Sequence, residues 1–386
     1  YNPARGMVSR KAHLPIKTRV SDASQYSVSC IRDTVAPYFK ALRSIKRRQN
    51  RGENSVKTLP IRQAWLFLLV VAVSLFTVGE TIAKPTEIRA GVLSYGTVNW
   101  ELNVVKHHGL DRKERVELLV TKLGGKNASA VALQGGEVDA IVTDWIWVSR
   151  QRAAGADYTF VPHSVAVGGL MVRPDAGINS IGDLRGRKIG IAGGPVDKSW
   201  LMLRAYAKKF IGADLKDITT PTFAAPPLLN KIMLKGDIPA ALNFWHYGAR
   251  LKAAGMKEFI SVIDLLPALG VERRPPLIGW VFSEGWAKKN DRAITGFLKS
   301  LRAAKKILAS SDAEWDRLRP LTKAKNDETF VALRDAYRAG IPKSFGSEDI
   351  SAAKALFKTL AEYGGPNLVG KSPNLTPGTF WSGYRY

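Results

Sequence analysis

The sequence predicts an α/β protein made of two similar lobes. Three observations carry this. From residue 84 onward, short apolar runs alternate with helical spacings, the pattern of parallel sheets covered by helices. A segment near residue 145 recurs 100 positions later. The chain has 386 residues, 45% of them hydrophobic, enough for two separate cores.

The elements follow in order. Residues 87–93 read as a strand and residues 98–108 as a helix that Gly109 stops. Residues 116–121 and 127–133 give the next strand and helix, and residues 138–143 a buried strand. Residues 165–172 read as extended and end at Arg173-Pro174, since a residue before proline is biased away from helix. Residues 188–192 form a strand and 198–210 a helix. Helices dominate the last third, over 291–309, 329–338 and 347–363, the last with one apolar face.

The repeat aligns Asp144-Trp145-Ile146-Trp147 with Phe244-Trp245-His246-Tyr247, and Ala153-Ala154-Gly155 with Ala253-Ala254-Gly255. Just upstream, Gly136-Glu137-Val138-Asp139-Ala140 aligns with Gly236-Asp237-Ile238-Pro239-Ala240. Each copy reads as helix, glycine turn, strand and an aromatic-tipped helix start. A period this long, present twice, predicts two lobes rather than a solenoid. Ligands of open α/β sheets sit beyond the carboxyl ends of the strands. Trp145 and Trp245 stand just past two such ends. They either close on one solute or pack helix onto sheet.

Composition narrows the classes. The net charge is +25, with 13 Lys and Arg against 3 Asp and Glu, a balance of +10, in residues 1–57. The other +15 lies in residues 84–386 and suits an anionic solute as well as a merely soluble basic surface. Residues 65–78 form an unbroken run of apolar or small residues, preceded by Lys57 and Arg62 and followed by Thr81-Ile82-Ala83. This is the pattern of a secretory signal over 58–83, cleaved after Ala83, and the run is shorter than the ~20 residues of a membrane span. Residues 1–57 read as a basic extension, either disordered, foreign to the native protein, or a nucleic-acid-binding arm. Cys30 is the single cysteine, so the exported body has neither a disulfide nor a thiol nucleophile.

Two glycine pairs, Gly124-Gly125 and Gly193-Gly194, separate a strand from a helix. Glycine admits close approach of a ligand, and a helix start offers free N–H groups. Asn127 and Ser129 follow the first pair, and Asp197, Lys198 and Ser199 the second. Asp197 also reads as the cap of its helix. His107 and His108 read as cations at a helix end, His163 stands alone, and His246 falls near the expected cleft as a hydrogen-bond donor. H-E-x-x-H and G-x-S-x-G motifs are absent, and no nucleophile, base and orienting group fall together. No metal site and no cofactor are expected.

Three segments carry a family resemblance: Leu133-Gln134-Gly135-Gly136-Glu137-Val138-Asp139-Ala140, then Ser180-Ile181-Gly182-Asp183-Leu184-Arg185-Gly186-Arg187-Lys188-Ile189-Gly190, then Val281-Phe282-Ser283-Glu284-Gly285-Trp286-Ala287. Over roughly residues 87–363 the chain resembles the periplasmic solute-binding proteins of ABC importers for nitrate, sulfonates, taurine and thiamine-precursor pyrimidines. The resemblance implies a type II periplasmic binding-protein fold. Its two Rossmann-like lobes are joined by crossover strands, expected at 165–172 and 277–283, and the ligand lies in the cleft. Lobe I would span 84–170 plus 280–386 and lobe II 171–279. The implied ligand contacts are Tyr95, Gly96, Thr97, Trp100, Gly124, Gly125, Asp144, Trp145, Gly193, Gly194, Asp197, Ser199, Asn243 and Trp245. The implied function is solute capture for a membrane permease by a periplasmic monomer that is not an enzyme and binds no nucleic acid. Asp144 and Asp197 beside aromatic residues depart from a simple oxyanion binder and suit a nitrogen heterocycle or amine, so both solute classes stay open. Related folds include pyrimidine synthases of thiamine biosynthesis, whose cysteine-rich motif this chain lacks. A sensor that binds the solute without importing it is the other alternative.

Overall fold

In the computed structural model, residues 84–383 are described; the basic extension 1–57 and the signal segment 58–83 lie outside them. The described residues belong to the compact unit Ala83–Tyr386. The chain runs β1 (Thr86–Leu93), α1 (Val98–His107), β2 (Val116–Leu123), α2 (Lys126–Gln134), β3 (Ala140–Asp144), α3 (Trp145–Ala153), β4 (Tyr158–Ser164), β5 (Gly169–Val172) and β6 (Lys188–Ala192). It continues through α4 (Lys198–Ile211), β7 (Thr220–Ala224), α5 (Pro226–Lys235), β8 (Ala240–Asn243), α6 (Trp245–Ala253), β9 (Lys257–Ser261) and β10 (Ile278–Ser283). The last long helices are α7 (Asp291–Ser310), α8 (Asp312–Thr322), α9 (Asp327–Ala339) and α10 (Ser347–Gly364).

Two five-stranded sheets form, ordered β2-β1-β3-β10-β4 and β7-β6-β8-β5-β9. The repeat read from sequence is structural: α2 and α5, β3 and β8, and α3 and α6 each begin 100 residues apart. The sheets are mixed rather than purely parallel as the alternation predicts. β1 runs parallel to β2 and β3, and β6 parallel to β7 and β8. β10 is antiparallel between β3 and β4, and β5 antiparallel between β8 and β9. The odd strand of each sheet is the one that arrives from the other sheet, so its direction is set by that entry and not by a βαβ crossover.

The first passage between the sheets is shorter in strand than the sequence suggests, whereas the return strand expected at 277–283 is found as β10. The extended run 165–172 is not one strand: β4 ends at Ser164, β5 begins at Gly169, and 165–168 carries the chain across. The return passage runs between β9 and β10, and only its end, from Ile278, is strand. One strand cannot pair in two sheets at once, so the crossing residues leave the ladder. The two passages touch where the Val262 N–H donates to the Gly168 carbonyl at 3.0 Å.

The packing follows the apolar stripes. Ile88, Ala90 and Val92 point from β1 into one core with Val104 of α1, Trp280 of β10 and Phe297 of α7. The amphipathic α10 sets Leu356, Phe357 and Leu360 in a second core with Trp145 and Trp200. It packs against α4, so a late helix is shared with the second sheet's layer. Among the described residues, no helix is long and apolar enough to cross a membrane.

Candidate functional site

The carboxyl ends of β1, β3 and β8 and the starts of α1, α2, α4 and α6 converge on a cavity of about 110 Å³. Leu93, Asp144 and Phe244 come from the strand ends, and Thr97, Lys126 and Trp245 from the helix starts. The far wall is His163, Lys305, Tyr337 and Ile341. The walls are largely apolar, and charge is concentrated in a few buried groups.

Two aspartates at the cavity cap helices, Asp144 the start of α3 and Asp197 the start of α4. Asp144 accepts from the Trp147 N–H at 2.8 Å, and Asp197 from the Ser199 N–H at 2.9 Å. Lys126 lies between them, 2.5 Å from Asp144 and 3.5 Å from Asp197, with its side chain 14% exposed. Burial opposes its charge, but the two carboxylates outweigh burial and hold its ammonium above the ordinary lysine range. Burial likewise opposes the Asp197 charge; Lys198, Lys126 and the Ser199 N–H prevail and keep it below the usual carboxylate range. Gly193 makes this arrangement possible. Its φ is +86°, and a Cβ there would stand 2.4 Å from Asp197 Oδ2. Lys198 is held more loosely. Its ammonium is 3.9 Å from Asp197 and 5.8 Å from the centre of the Phe244 ring, a cation–π distance. The starts of α1, α2 and α6 have no side-chain cap.

Behind the far wall, Lys305 donates to Glu101 at 2.7 Å and lies 3.1 Å from His163 Nδ1, and the Tyr337 hydroxyl donates to Glu101 at 3.1 Å. Burial raises the Glu101 carboxyl against the pull of Lys305 and Tyr337. Burial, reinforced by Lys305, drives His163 well below the usual imidazole range. His246 is also neutral: burial and then Arg250 lower it to about 3, against a hydrogen bond to the Tyr95 carbonyl. A histidine depressed in the folded state lets the unfolded chain take the proton first. The His246 contribution is therefore expected to be present above pH 6.5 and to be lost on acidification from there toward pH 3, at roughly 1.4 kcal/mol per pH unit. Urea unfolding of wild type and His246→Phe at pH 7 and 5 checks this; the variant should lose less on acidification, and an equal loss would refute the assignment.

The residues expected from sequence fall into two groups. Gly96, Thr97, Asp144, Asp197 and Trp245 border the cavity. Tyr95 adjoins it through its carbonyl, which receives His246 Nε2 at 3.2 Å, while its ring meets Tyr247 edge-on. The others lie outside the lining. Trp145 is fully buried against Phe357 and Phe380. Trp100 is packed on Trp315 and Trp245, with its indole N–H on the Leu321 carbonyl. Asn243 donates to Asn230 and Pro226. Ser199 serves the Asp197 cap, Gly125 precedes α2, and Gly124 and Gly194 each have open space where a Cβ would point. His108 faces Glu314 at 3.2 Å instead of acting only as a helix-end cation.

Lys126, His163, Lys305 and Tyr337 border the cavity without having been expected. Lys305 carried a signal: it lies four residues after Leu301 and three before Leu308, on the buried stripe of α7. Glu101, its partner, sits on the buried face of α1.

A two-lobed fold whose strand ends and helix starts meet around one cavity defines the type II periplasmic binding-protein class. The chain belongs to the NMT1/THI5 like family, whose model matches residues 104–313. Its fold is similar to that of the alkanesulfonate-binding protein SsuA from Xanthomonas axonopodis pv. citri, solved bound to MOPS, at 18% identity and a TM-score of 0.61, over 78% of this chain and 99% of that one. The periplasmic aliphatic sulphonate binding protein SsuA from Escherichia coli is similar at 19% identity and a TM-score of 0.61, over 78% of this chain and 94% of that one. A ligand binding component of an ABC-type import system from Staphylococcus aureus shares 14% identity at a TM-score of 0.57, over 78% of this chain and 100% of that one. No curated protein matches the sequence significantly.

Proposed function

We propose that the protein is the periplasmic solute-binding component of an ABC importer and that it captures a small organic anion, sulfonate or carboxylate, between its two lobes. The observation that carries this is Lys198, a buried ammonium held only at 3.9 Å by Asp197, on a cavity that three uncapped helix starts also face. Helix N-termini and a loosely paired cation both favour negative charge. Asp144 and Asp197 are already engaged by N–H groups and by Lys126, so they do not oppose an anion as bare carboxylates would. The apolar walls suit a short hydrocarbon part. Solved neighbours described as sulfonate-binding proteins support the same class.

Capture without chemistry fits the histidines. A general base works best with a pKa near the operating pH, and both histidines of the cavity are held far below it. In this reading the export signal is removed after Ala83, the partner is an inner-membrane permease, and the protein works as a monomer.

A thermal-shift series tests the reading. A short alkanesulfonate at a hundredfold excess over its Kd is expected to add about 2.7 kcal/mol of stability, and Lys198→Met to weaken its binding by about ten- to a hundredfold. Stabilisation by amines or pyrimidines alone would overturn the anion in favour of a guest held by Asp144 and Asp197 among the aromatic rings.

A further inference from the structure

Away from the cavity, α1 ends at His107, His108 follows as its cap, and Glu314 stands in the first turn of α8. The two helices lie side by side in opposite directions. Trp100, early in α1, donates its indole N–H to the Leu321 carbonyl late in α8, and Arg317 donates to Asn103 at 2.7 Å. At the far end of this seam, one ligand atom each from His107, His108 and Glu314 lie within 4.8 Å of one another. His108 Nε2 and Glu314 Oε2 are 3.2 Å apart, yet Nε2 is buried and makes no hydrogen bond. The two atoms therefore approach without the alignment of a hydrogen bond. Their spacing is close to the one a tetrahedral ion imposes, since bonds of about 2.0–2.2 Å hold two ligands about 3.3–3.6 Å apart. Arg317 donates twice to Glu314 Oε1 and leaves Oε2 to another partner. His107 is exposed, so its ring can close the remaining gap from the solvent side.

We propose that His107, His108 and Glu314 bind a divalent transition-metal ion of the zinc type, with water completing its shell. Two imidazoles and one carboxylate suit such an ion, whereas calcium and magnesium prefer oxygen ligands throughout. The site is separate from solute capture. α1 is ten residues long, about 15 Å, and the residue that borders the cavity, Thr97, lies at its opposite end. The ion would instead brace the seam between α1 and α8. Arg250 of α6 donates to the Thr322 carbonyl at the other end of α8, so the braced helix is the one that meets the second half of the molecule. The sequence predicted no metal site because the adjacent histidines read as a helix end, and their carboxylate partner comes from a helix far along the chain.

Calorimetric titration of Zn2+ into the full chain, prepared without a polyhistidine tag, tests the site. One ion per chain is expected at these residues, with a rise in Tm on loading. His107→Ala, His108→Ala and Glu314→Gln should each weaken binding by roughly tenfold or more, as even the loss of a supporting group does at a metal site. His107 is exposed, so its variant leaves the packing intact, and the Tm of each metal-free variant reports that it is folded. Co2+ in place of Zn2+ should show the strong visible absorption of a four-coordinate ion in the wild type and lose it in His107→Ala. No binding by the wild type, or the same affinity in His107→Ala and His108→Ala as in wild type, overturns the site. Unchanged affinity in Glu314→Gln alone overturns the role of the carboxylate and with it the bridge between the helices.

Discussion

Replacing Lys126 with methionine is expected to cost about 3–5 kcal/mol, the loss that follows when one partner of a buried ion pair is removed. Lys126 stands between the caps of two helices from different sheets, Asp144 of α3 and Asp197 of α4. Without it, two nearly inaccessible carboxylates lose the cation they share, and Asp197 keeps Lys198 at 3.9 Å. The sign with pH is fixed by the shifts. Asp197 is depressed when folded, so its contribution is present at neutral pH and is lost as pH falls through its folded value. The Lys126 ammonium is raised, so its contribution is complete below pH 10.5 and is lost only as pH climbs beyond that. Both are therefore in force at pH 7, where urea unfolding should show the full loss. Lys126→Met combined with Asp144→Asn should recover part of it, since it removes one of the stranded charges. A single variant as stable as wild type would mean that the carboxylates are solvated, and that the cluster does not tie the lobes together.

Gly168→Ala is expected to cost about 3 kcal/mol or more. A Cβ at this position would lie 1.6 Å from the Asn243 carbonyl oxygen, and that atom belongs to the backbone at the end of β8, not to a side chain that can swing away. Gly168 also accepts the Val262 N–H, so a shift to relieve the clash breaks the contact between the two passages. Gly124→Ala is the control: nothing stands within 4 Å of its Cβ position, and the change should stay within about 0.5 kcal/mol. Chemical denaturation of the three proteins side by side decides it. A mild Gly168→Ala would show that the passages slide freely past β8.

The repeat made much of this fold legible. Apolar runs gave β6 the bounds it has, and the 100-residue shift placed α5, β8 and α6 once α2, β3 and α3 were read. Of the edge strands, β2 was legible, and β7, β9 and β4 were not. β7 contains Pro221 and is half exposed, and β9 begins Lys257-Glu258, so neither has the apolar run of a buried strand. β4 is buried but interrupted by Pro162 and His163. In the site, Asp144, Asp197 and Trp245 were legible because each stands at the junction of a strand and the helix that follows it. Lys305 comes from a helix that follows all three in the chain, and only its place on an apolar stripe marked it. The tryptophans show the limit of analogy between the copies. Trp145 and Trp245 align in sequence, yet the first is sealed under α10, whereas the second borders the cavity. The difference comes from α10, a helix that has no counterpart in the other half.

The strand that each sheet receives from the other half bears on the order of folding. Within its sheet β4 is bonded to β10 alone, its outer edge being bridged at Phe380, and both partners lie more than a hundred residues downstream, so the first sheet stays open at that side until nearly three-quarters of the chain has been made. Until then β4 has no place in the first sheet, although the second sheet already has all five of its strands by Ser261. For a nascent chain that must pass through a narrow channel before it folds, that delay is an advantage, because a polypeptide that has not yet collapsed can still be threaded.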